Sequence, residues 1–489
     1  MPIPARLIVL IFVLLAGQLT IVSGRSFAQQ LPGEVIQEIE RNRRDQQLRQ
    51  MEERPAKPPV IMEEKKAAPK PAAPAEKILV KKIRVEGNTL VGAAEISPIV
   101  APYEGKDLSL EDLRRVADLI TAKYREKGYI IANAFVPKQE VRDNVVAIRV
   151  VEGKVGSITV TGNKSYSAAF IRKYLSVIDK DPSLKETTLE RALILLDEYP
   201  SLDVKAALKA GKAPGTTDVI AAAQDRFPVW GSLFYDNYGA STTEKNRVGF
   251  GLGLGNLITS GDAVSLWGLT GTDKIDVDGL SYGRVEYSLP LGGYGTKAGV
   301  YYAHNLYQAT GDFSPLGLKG KADIMGVFVS HPLIKTRDST FALRLGFDYK
   351  DVRQYELQDL TADDHVRAAT FGLVYESTDS YRNRNFLNVT YHQGIRGFMG
   401  GNGSSDTDVS RAGADGGFQK VTADAVRIQQ LPGDNRLLLR GSGQYSADPL
   451  FVVEQFLIGG AGSVRGFNPA QNTGDHLRHE SNQKVRGVH

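Results

Sequence analysis

Residues 230–446 alternate apolar and polar side chains in one run after another, and this period of two constrains the fold more than any other feature. Within 341–350, Phe341, Leu343, Leu345, Phe347 and Tyr349 share one face, whereas Ala342, Arg344, Gly346, Asp348 and Lys350 share the other. Successive side chains of a strand point to opposite faces, so the pattern predicts strands. We place about eleven strands, at 230–237, 247–254, 263–271, 279–289, 296–304, 322–332, 340–351, 367–376, 385–394, 417–428 and 436–446.

Two antiparallel architectures are compatible with this pattern, a soluble sandwich and a transmembrane barrel. A sandwich would keep a continuous core and turn its charged face outward. The runs here are about ten residues long and are separated alternately by short turns and longer polar loops, which is typical of a barrel. No segment after the N-terminal region has about 18 uninterrupted apolar residues. Any membrane crossing must therefore be made by strands, which in an exported bacterial-type protein indicates the outer membrane.

The N-terminal region has the pattern of a secretory signal. Arg6 is followed by the apolar run 7–16, and Ser26-Phe27-Ala28 offers small residues at both cleavage positions. We predict a signal peptide over 1–28. The alternative, an uncleaved anchor, fits less well because polar residues from Gln18 onward dilute the run.

Residues 29–77 differ from the rest of the chain in composition. The run 34–54 is charged and favours a helix, and six prolines follow between 55 and 74. Proline-rich segments of this kind form extended, semi-rigid linkers. Two interpretations stay open, a disordered charged tail and a polar helix with a linker.

Composition excludes several functional classes. The 489 residues carry a net charge of +4, which is too small a bias to indicate nucleic-acid binding. Cysteine is absent, which excludes disulfides, cysteine-ligated zinc and cysteine nucleophiles. Phosphate-loop and nucleophile-elbow motifs are also absent. His476 and His479, with Glu480 nearby, have the spacing of a metal-binding pair, which we attribute to chance. We therefore predict no enzymatic activity, no cofactor and no metal.

An internal repeat occupies 78–225. Residues 78–153 read as strand, short helix, long helix, strand and strand, and residues 154–225 repeat that order. Gly87-Asn88 ends the first strand of one unit as Gly162-Asn163 ends that of the other. The spacing from Ser109 to Asp112, and that from Thr187 to Glu190, predicts a capping box at the start of each long helix. Two units of the same order predict two α+β domains.

A glycine-rich loop, 459–467, follows the last predicted strand and reads Gly-Gly-Ala-Gly-Ser-Val-Arg-Gly-Phe. Val464, Arg465, Gly466 and Phe467 resemble the VRGF/VRGY tetrad of the two-partner secretion transporters (TpsB; ShlB/FhaC/HecB-type haemolysin secretion/activation proteins). Residues 126–130, 151–155 and 189–200 resemble the two POTRA domains of those proteins. The resemblance therefore covers both the repeats and the alternating region.

The resemblance implies two POTRA domains, 78–153 and 154–225, followed by an antiparallel transmembrane β-barrel, which has sixteen strands in the family. It implies that a gating loop near 447–475 folds into the barrel, with Arg465 as a lock residue and Val464, Gly466 and Phe467 shaping the tip. The count of eleven strands puts the tetrad directly after strand eleven, which is its place in the family. A helix within 29–77 that plugs the barrel is also implied.

The end of the chain departs from the family pattern. Residues 476–489 do not alternate and have no apolar face, so we expect an aberrant tail after an incomplete barrel over 228–475. About five strands of the family barrel have no counterpart in the sequence. We expect a frameshift or a truncation near Asp475–His476, or an artefact of gene prediction, and a non-functional remnant is one functional alternative.

The function implied is an outer-membrane pore that captures an unfolded exoprotein and translocates it to the cell surface. The expected partner is a secreted β-helical adhesin or haemolysin, bound by strand addition to the POTRA domains at Tyr129, Ile130, Val136, Val155 and Ile158. Outer-membrane lipid, the barrel-assembly machinery and periplasmic chaperones are further expected partners, and nucleic acid is not. The alternatives are an assembly factor, which has more repeats, and a passive porin, which has none.

Overall fold

The structure, a computed structural model, describes residues 39–40, 61–63, 77–240, 242–272, 279–433, 435–460, 464 and 472–486. The predicted signal peptide and most of the predicted linker lie outside these residues. The chain divides into two compact units. One comprises Lys57–Phe227 and Gly292–Tyr294, and the other comprises Met1–Ala56, Pro228–Leu291 and Gly295–His489. Within the described residues, no helix has the length and apolar composition needed to cross a lipid bilayer.

The first repeat is an α+β domain that follows a short strand, β1 (Ile61–Glu63). Its elements are β2 (Ile78–Val80), β3 (Lys82–Glu86), α1 (Ala93–Val100), β4 (Lys106–Leu108), α2 (Leu110–Glu126), β5 (Asn133–Phe135) and β6 (Val145–Val151). Strand β6 lies between β3, to which it is parallel, and β5. The predicted capping box is confirmed, because Ser109 and Asp112 exchange side-chain and backbone hydrogen bonds at the start of α2.

The second repeat has the same order except for β2 and β4, which pair with each other and have no counterpart in it. Its elements are β7 (Lys154–Thr161), α3 (Ala168–Leu175), α4 (Glu186–Asp197), β8 (Leu202–Ala210) and β9 (Thr216–Asp225). The predicted cap at Thr187 is wrong, since α4 begins at Glu186 and Lys185 makes no side-chain cap. Asp181 replaces it: its Oδ2 accepts hydrogen bonds from the backbone N of Lys185, at 2.9 Å, and from the hydroxyl of Thr188, at 2.6 Å.

The two repeats match in the turn that follows their first long strand. Gly87 and Gly162 both have positive φ, 83° and 81°, and each lies against a carbonyl oxygen of a neighbouring strand. The loop after Gly87 is held by the carboxylate of Glu152, and the loop after Gly162 by that of Asp225; both accept hydrogen bonds from backbone N–H groups. A glycine with positive φ, followed by a loop held by a carboxylate, therefore occurs in both repeats, as the internal repeat predicts.

The larger unit contains a twelve-stranded antiparallel sheet whose strands follow chain order. They are β10 (Val229–Asp236), β11 (Arg247–Gly255), β12 (Ala263–Gly271), β13 (Ser281–Leu291), β14 (Thr296–Gln308), β15 (Lys319–Lys335), β16 (Ser339–Glu356), β17 (Asp359–Thr378), β18 (Arg384–Gly394), β19 (Gln419–Gln430), β20 (Asn435–Ser446) and β23 (Leu477–Arg486). Two short strands lie between the last two members, β21 (Phe456–Ile458) and β22 (Asn472–Gly474). Each of the eleven predicted strands is present, several of them longer than predicted.

The twelfth strand corrects the prediction for 476–489. The lack of alternation predicts an aberrant tail here, yet Leu477–Arg486 pairs antiparallel with β20 from Gln444 to Asn435. A ladder forms through backbone N–H and C=O groups, which every non-proline residue has. A strand can therefore form without the alternation on which the prediction relied.

Candidate functional site

The inner face of the twelve-stranded sheet encloses a polar cavity of about 550 Å³. Charged and polar side chains from β13 to β20 line it, among them Arg284, Arg344, Asp348, Lys350, His392, Lys420, Asp424 and Gln444. The opposite face exposes apolar side chains, among them Val285, Met325, Val327, Leu345, Phe371 and Val421. The predicted faces of 341–350 are confirmed, because Arg344, Asp348 and Lys350 line the cavity whereas Leu345 is 55% exposed on the other side.

The chain re-enters this cavity immediately after β20. A single 3₁₀ turn, Val452–Glu454, brings the fully buried carboxylate of Glu454 between two lysines of the inner face. The Nζ of Lys350 lies 2.5 Å from one carboxylate oxygen, and the Nζ of Lys420 lies 2.6 Å from the other. Lys420 Nζ also donates a hydrogen bond of 2.9 Å to the backbone carbonyl of Glu454. The hydrogen bonds from Lys350 to the carboxylate and from Lys420 to the carbonyl are charge-assisted and therefore stronger than neutral ones.

The returning limb of this loop is held at a second point. Strand β21 pairs antiparallel with β22, so the limbs on either side of 459–471 run side by side. Directly after β22, Asp475 lies 2.5 Å from the guanidinium of Arg411, which belongs to the long loop between β18 and β19. The same carboxylate oxygen accepts hydrogen bonds from Gln455, at 3.1 Å, and from the backbone N of Leu450, at 3.3 Å.

A helical segment from the start of the chain also lies on the inner face. Ile39 is 1% exposed and packs in the same apolar cluster as Tyr282 and Phe451. The carboxylate of Glu40 accepts hydrogen bonds from Tyr282 and, at 3.2 Å, from Arg284. The guanidinium of Arg284 stacks over the ring of Tyr301, 3.7 Å from its centroid. Part of the predicted N-terminal helix thus contacts the inner wall of the sheet.

Comparison with known proteins identifies the family. The profile of the haemolysin secretion/activation protein ShlB/FhaC/HecB matches residues 215–476, and that of the ShlB-type POTRA domain matches residues 78–153. The chain belongs to the ShlB/FhaC/HecB family. The predicted resemblance is thereby confirmed, and the fold is that of POTRA domains followed by a barrel-type sheet.

Two relatives are about a quarter identical to this member of the ShlB/FhaC/HecB family over the aligned residues. The heme/hemopexin transporter protein HuxB of Haemophilus influenzae (strain 86-028NP) is 26% identical over 390 residues, which cover 78% of this chain and 66% of HuxB. The outer membrane transporter CdiB of Dickeya dadantii is 24% identical, over 82% of this chain and 72% of that protein. The solved structure of CdiB from Escherichia coli has the same fold, with a TM-score of 0.72 at 23% identity over 94% of this chain and 85% of the other.

The predicted tip tetrad of the family is only partly described. Val464 is half-buried, whereas Arg465, Gly466 and Phe467 lie outside the described residues. The described limbs on either side, 450–460 and 472–475, lie among residues of the inner face and of the neighbouring loop. The lock role of Arg465 therefore stays a prediction.

The five predicted client-binding residues are divided between the two POTRA repeats. Tyr129 and Val136 pack on the core of the first repeat, and Ile130, Val155 and Ile158 pack on that of the second. The junction itself is made by a β-bridge between Tyr129 and Lys185 and by a hydrogen bond of 2.8 Å from Glu186 N to the carbonyl of Gly128. All five side chains are half-buried, and their role in client binding stays a prediction.

Sequence reasoning missed the contact among Glu454, Lys350 and Lys420. Alternation places Lys350 on the opposite face from the apolar side chains of its strand. Glu454 lies in a loop without alternation, so the sequence does not predict where its side chain points. The available signal was a lone acid within the apolar run 450–458. A charge in such a run is rarely buried unless it is paired, which indicates a partner on the wall.

Proposed function

We propose that this chain is an outer-membrane transporter of two-partner secretion, which captures an unfolded secreted exoprotein through its POTRA domains and passes it through the barrel. The POTRA domains lie in the periplasm and the twelve-stranded sheet lies in the outer membrane. The client is a large β-helical protein of the adhesin or haemolysin class. The chain spans about two thirds, 66%, of the length of HuxB.

One observation carries the proposal: the edge of the second POTRA sheet already accepts an extended segment. Strand β1 pairs parallel with β8, Ile61 opposite Ala206, Met62 opposite Ala207 and Glu63 opposite Leu208. This is strand addition, in which backbone hydrogen bonds give affinity without requiring a fixed sequence. An unfolded client can use the same edge when β1 leaves it.

The edges of the first POTRA sheet are less available for strand addition. The backbone N of Ala134 in β5 donates to the hydroxyl of Thr121 on α2, at 2.9 Å. The backbone N of Ile83 in β3 donates to the carboxylate of Glu104, also at 2.9 Å. Both donors are therefore used by side chains of the same domain. We infer that backbone pairing with the client takes place on β8, and that the predicted contacts at Tyr129, Ile130 and Val136 add side-chain affinity.

A disulfide between β1 and β8 tests this proposal. The chain contains no cysteine, so Met62→Cys with Ala207→Cys introduces the only thiols, at directly paired positions. We expect the oxidised double variant to lose at least about tenfold in client secretion, because β1 can no longer leave the edge, and reduction to restore it. Each single variant is the matched control and is expected to secrete normally. Full secretion by the oxidised double variant contradicts the docking role of β8.

Passage of the client requires that the inner face be vacated. We propose that the loop over 447–475 is the gate, with Arg465 as its tip lock and Val464, Gly466 and Phe467 shaping the tip. The helix that includes Ile39 and Glu40 is a second obstruction in the same space. Insertion of the sheet is expected to need the barrel-assembly machinery and periplasmic chaperones, since exposed strand edges are costly in lipid.

A further inference from the structure

The first limb of the gating loop forms an apolar seal on the inner face. Leu450, Phe451 and Val453 are each at most 4% exposed. They belong to one cluster with Ile39 of the N-terminal helix, with Phe418 directly before β19 and with inward-facing residues of β12 to β17. Three separate segments of the chain therefore contribute to one buried apolar cluster inside the sheet.

Glu454 follows this seal directly and is its connection to the wall. Its two lysine partners lie on β16 and β19, which are three strands apart in the sheet, or about 14 Å along the wall. Gln444 on β20 donates a further hydrogen bond of 2.9 Å to the Glu454 carbonyl. One loop residue is thus held from three strands, by its carboxylate and by its backbone.

The contact of Glu454 with Lys350 and Lys420 joins three charged groups that are all largely buried. Both lysine side chains are at most 15% exposed, and the carboxylate of Glu454 is not exposed. If Glu454 is neutralised while the limb stays in place, two buried ammonium groups lose their shared counter-charge. Removing one partner of a buried ion pair is strongly destabilising because the remaining charge is uncompensated. The electrostatic attraction therefore favours the one position of the limb in which Glu454 lies between Lys350 and Lys420.

We propose that Glu454 is the positioning residue of the gating loop: with Lys350 and Lys420 it holds the seal of Leu450, Phe451 and Val453 in the barrel, independently of the tip residue Arg465. The statement that this loop is a gate rests on the proposed function. The position of the limb can nevertheless be measured without any client or transport. A failure of this inference and a failure of the proposed function are therefore distinguishable.

The test measures access to the limb in the full chain, inserted in outer-membrane vesicles. Leu457→Cys introduces a single thiol at a position that is 5% exposed, three residues beyond Glu454. The measured quantity is its labelling rate by a membrane-impermeant, charged thiol reagent. We expect Glu454→Gln to raise that rate at least about tenfold, and Glu454→Asp to raise it less.

A charge reversal separates positioning from mere structural damage. The triple variant Glu454→Lys, Lys350→Glu, Lys420→Glu keeps one charge between two opposite ones, and we expect it to return the rate to within about threefold of the parent. The matched control is Asp424→Asn, which neutralises another carboxylate of the same cavity, one that accepts a hydrogen bond from Ser442 at 2.8 Å. We expect this control to leave the rate unchanged.

Two results overturn the inference: an unchanged labelling rate in Glu454→Gln, or a triple variant that labels as fast as Glu454→Gln. Heat-modifiable migration on gels verifies that each variant is folded. If Glu454→Gln does not fold, Lys420→Gln takes its place, since Lys350 still pairs with the carboxylate there. An intermediate rate supports the inference, and the parental rate contradicts it. Client secretion, assayed separately in cells, tests the proposed function alone.

Discussion

Arg284 on the inner face of β13 donates a hydrogen bond of 3.2 Å to Glu40 of the N-terminal helical segment. Because this contact joins the segment to the wall, we predict that Glu40→Gln destabilises the seated helix by about 1.5 kcal/mol, or about tenfold in the ratio of seated to unseated forms. The measurement is the open probability of single channels in planar bilayers, which is expected to rise.

A control for this prediction lies on the same strand. Glu286 also pairs with Arg284, at 2.9 Å, but belongs to the wall itself. Glu286→Gln is therefore expected to change the open probability less than Glu40→Gln does. Equal effects of the two variants would mean that the conductance depends on Arg284 itself rather than on the seated helix.

The matched turns of the two POTRA repeats lead to a second prediction. Gly87 and Gly162 combine positive φ with a carbonyl oxygen in the space where a Cβ would lie. We expect Gly87→Ala and Gly162→Ala each to lower the free energy of unfolding of fragment 57–227 by more than about 2 kcal/mol, since the left-handed conformation alone costs about 1–2 kcal/mol. Urea denaturation measures this change.

Gly105 provides the comparison that separates strain from steric overlap. It has a similar φ of 74°, but nothing lies within 4 Å of its Cβ position. Gly105→Ala is therefore expected to cost only the conformational part, about 1 kcal/mol. If all three variants lose the same stability, the carbonyl contacts contribute nothing.

The features predicted correctly from the sequence are those set by neighbouring residues. Each of the eleven strands has its own alternation, and the capping box of α2 spans only Ser109 to Asp112, so both are visible locally. Strand β23 lacks that alternation and forms through backbone pairing with β20. The start of α4 depends on Asp181, which lies five residues before the helix and is not part of any capping pattern in the sequence.

The contacts of the candidate site were beyond sequence reasoning for a different reason. Glu454 meets Lys350 across 104 residues of chain, and Glu40 meets Arg284 across 244. Alternation assigns each wall residue to a face but does not say which loop residue will enter the enclosed space. Period and spacing therefore predict the strands and the faces of their side chains, but not which loop or helix lies against the inner face.

A third prediction concerns the tip of the gating loop. We expect Arg465→Ala to reduce client secretion about tenfold or more without removing the protein from the outer membrane, because an arginine fork is suited to hold one carboxylate away from bulk water. Secretion is measured by the amount of client in the medium, and membrane content by immunoblot. Arg465→Lys, which keeps the charge but not the fork, is expected to restore secretion only in part, and normal secretion by Arg465→Ala contradicts the lock assignment.

The fourth prediction concerns Glu152 and pH. Burial would raise the pKa of this carboxyl, but hydrogen bonds from Leu90 N, the hydroxyls of Thr89 and Tyr124, and Thr89 N hold it below its ordinary value. A depressed pKa means that the ionised form stabilises the fold above the unfolded pKa of about 4.3, and that this contribution is lost as the pH falls through the folded pKa. We expect Glu152→Gln to lower the free energy of unfolding of fragment 57–227 by about 1–2 kcal/mol at pH 7 and by progressively less below about pH 4.

The matched control is Glu140→Gln, since Glu140 is 83% exposed and its pair with Arg142 lies at the surface. Urea denaturation from pH 3 to pH 8 decides the matter: a loss in Glu152→Gln that does not depend on pH would mean that the ionised carboxylate is not what holds the loop after Gly87.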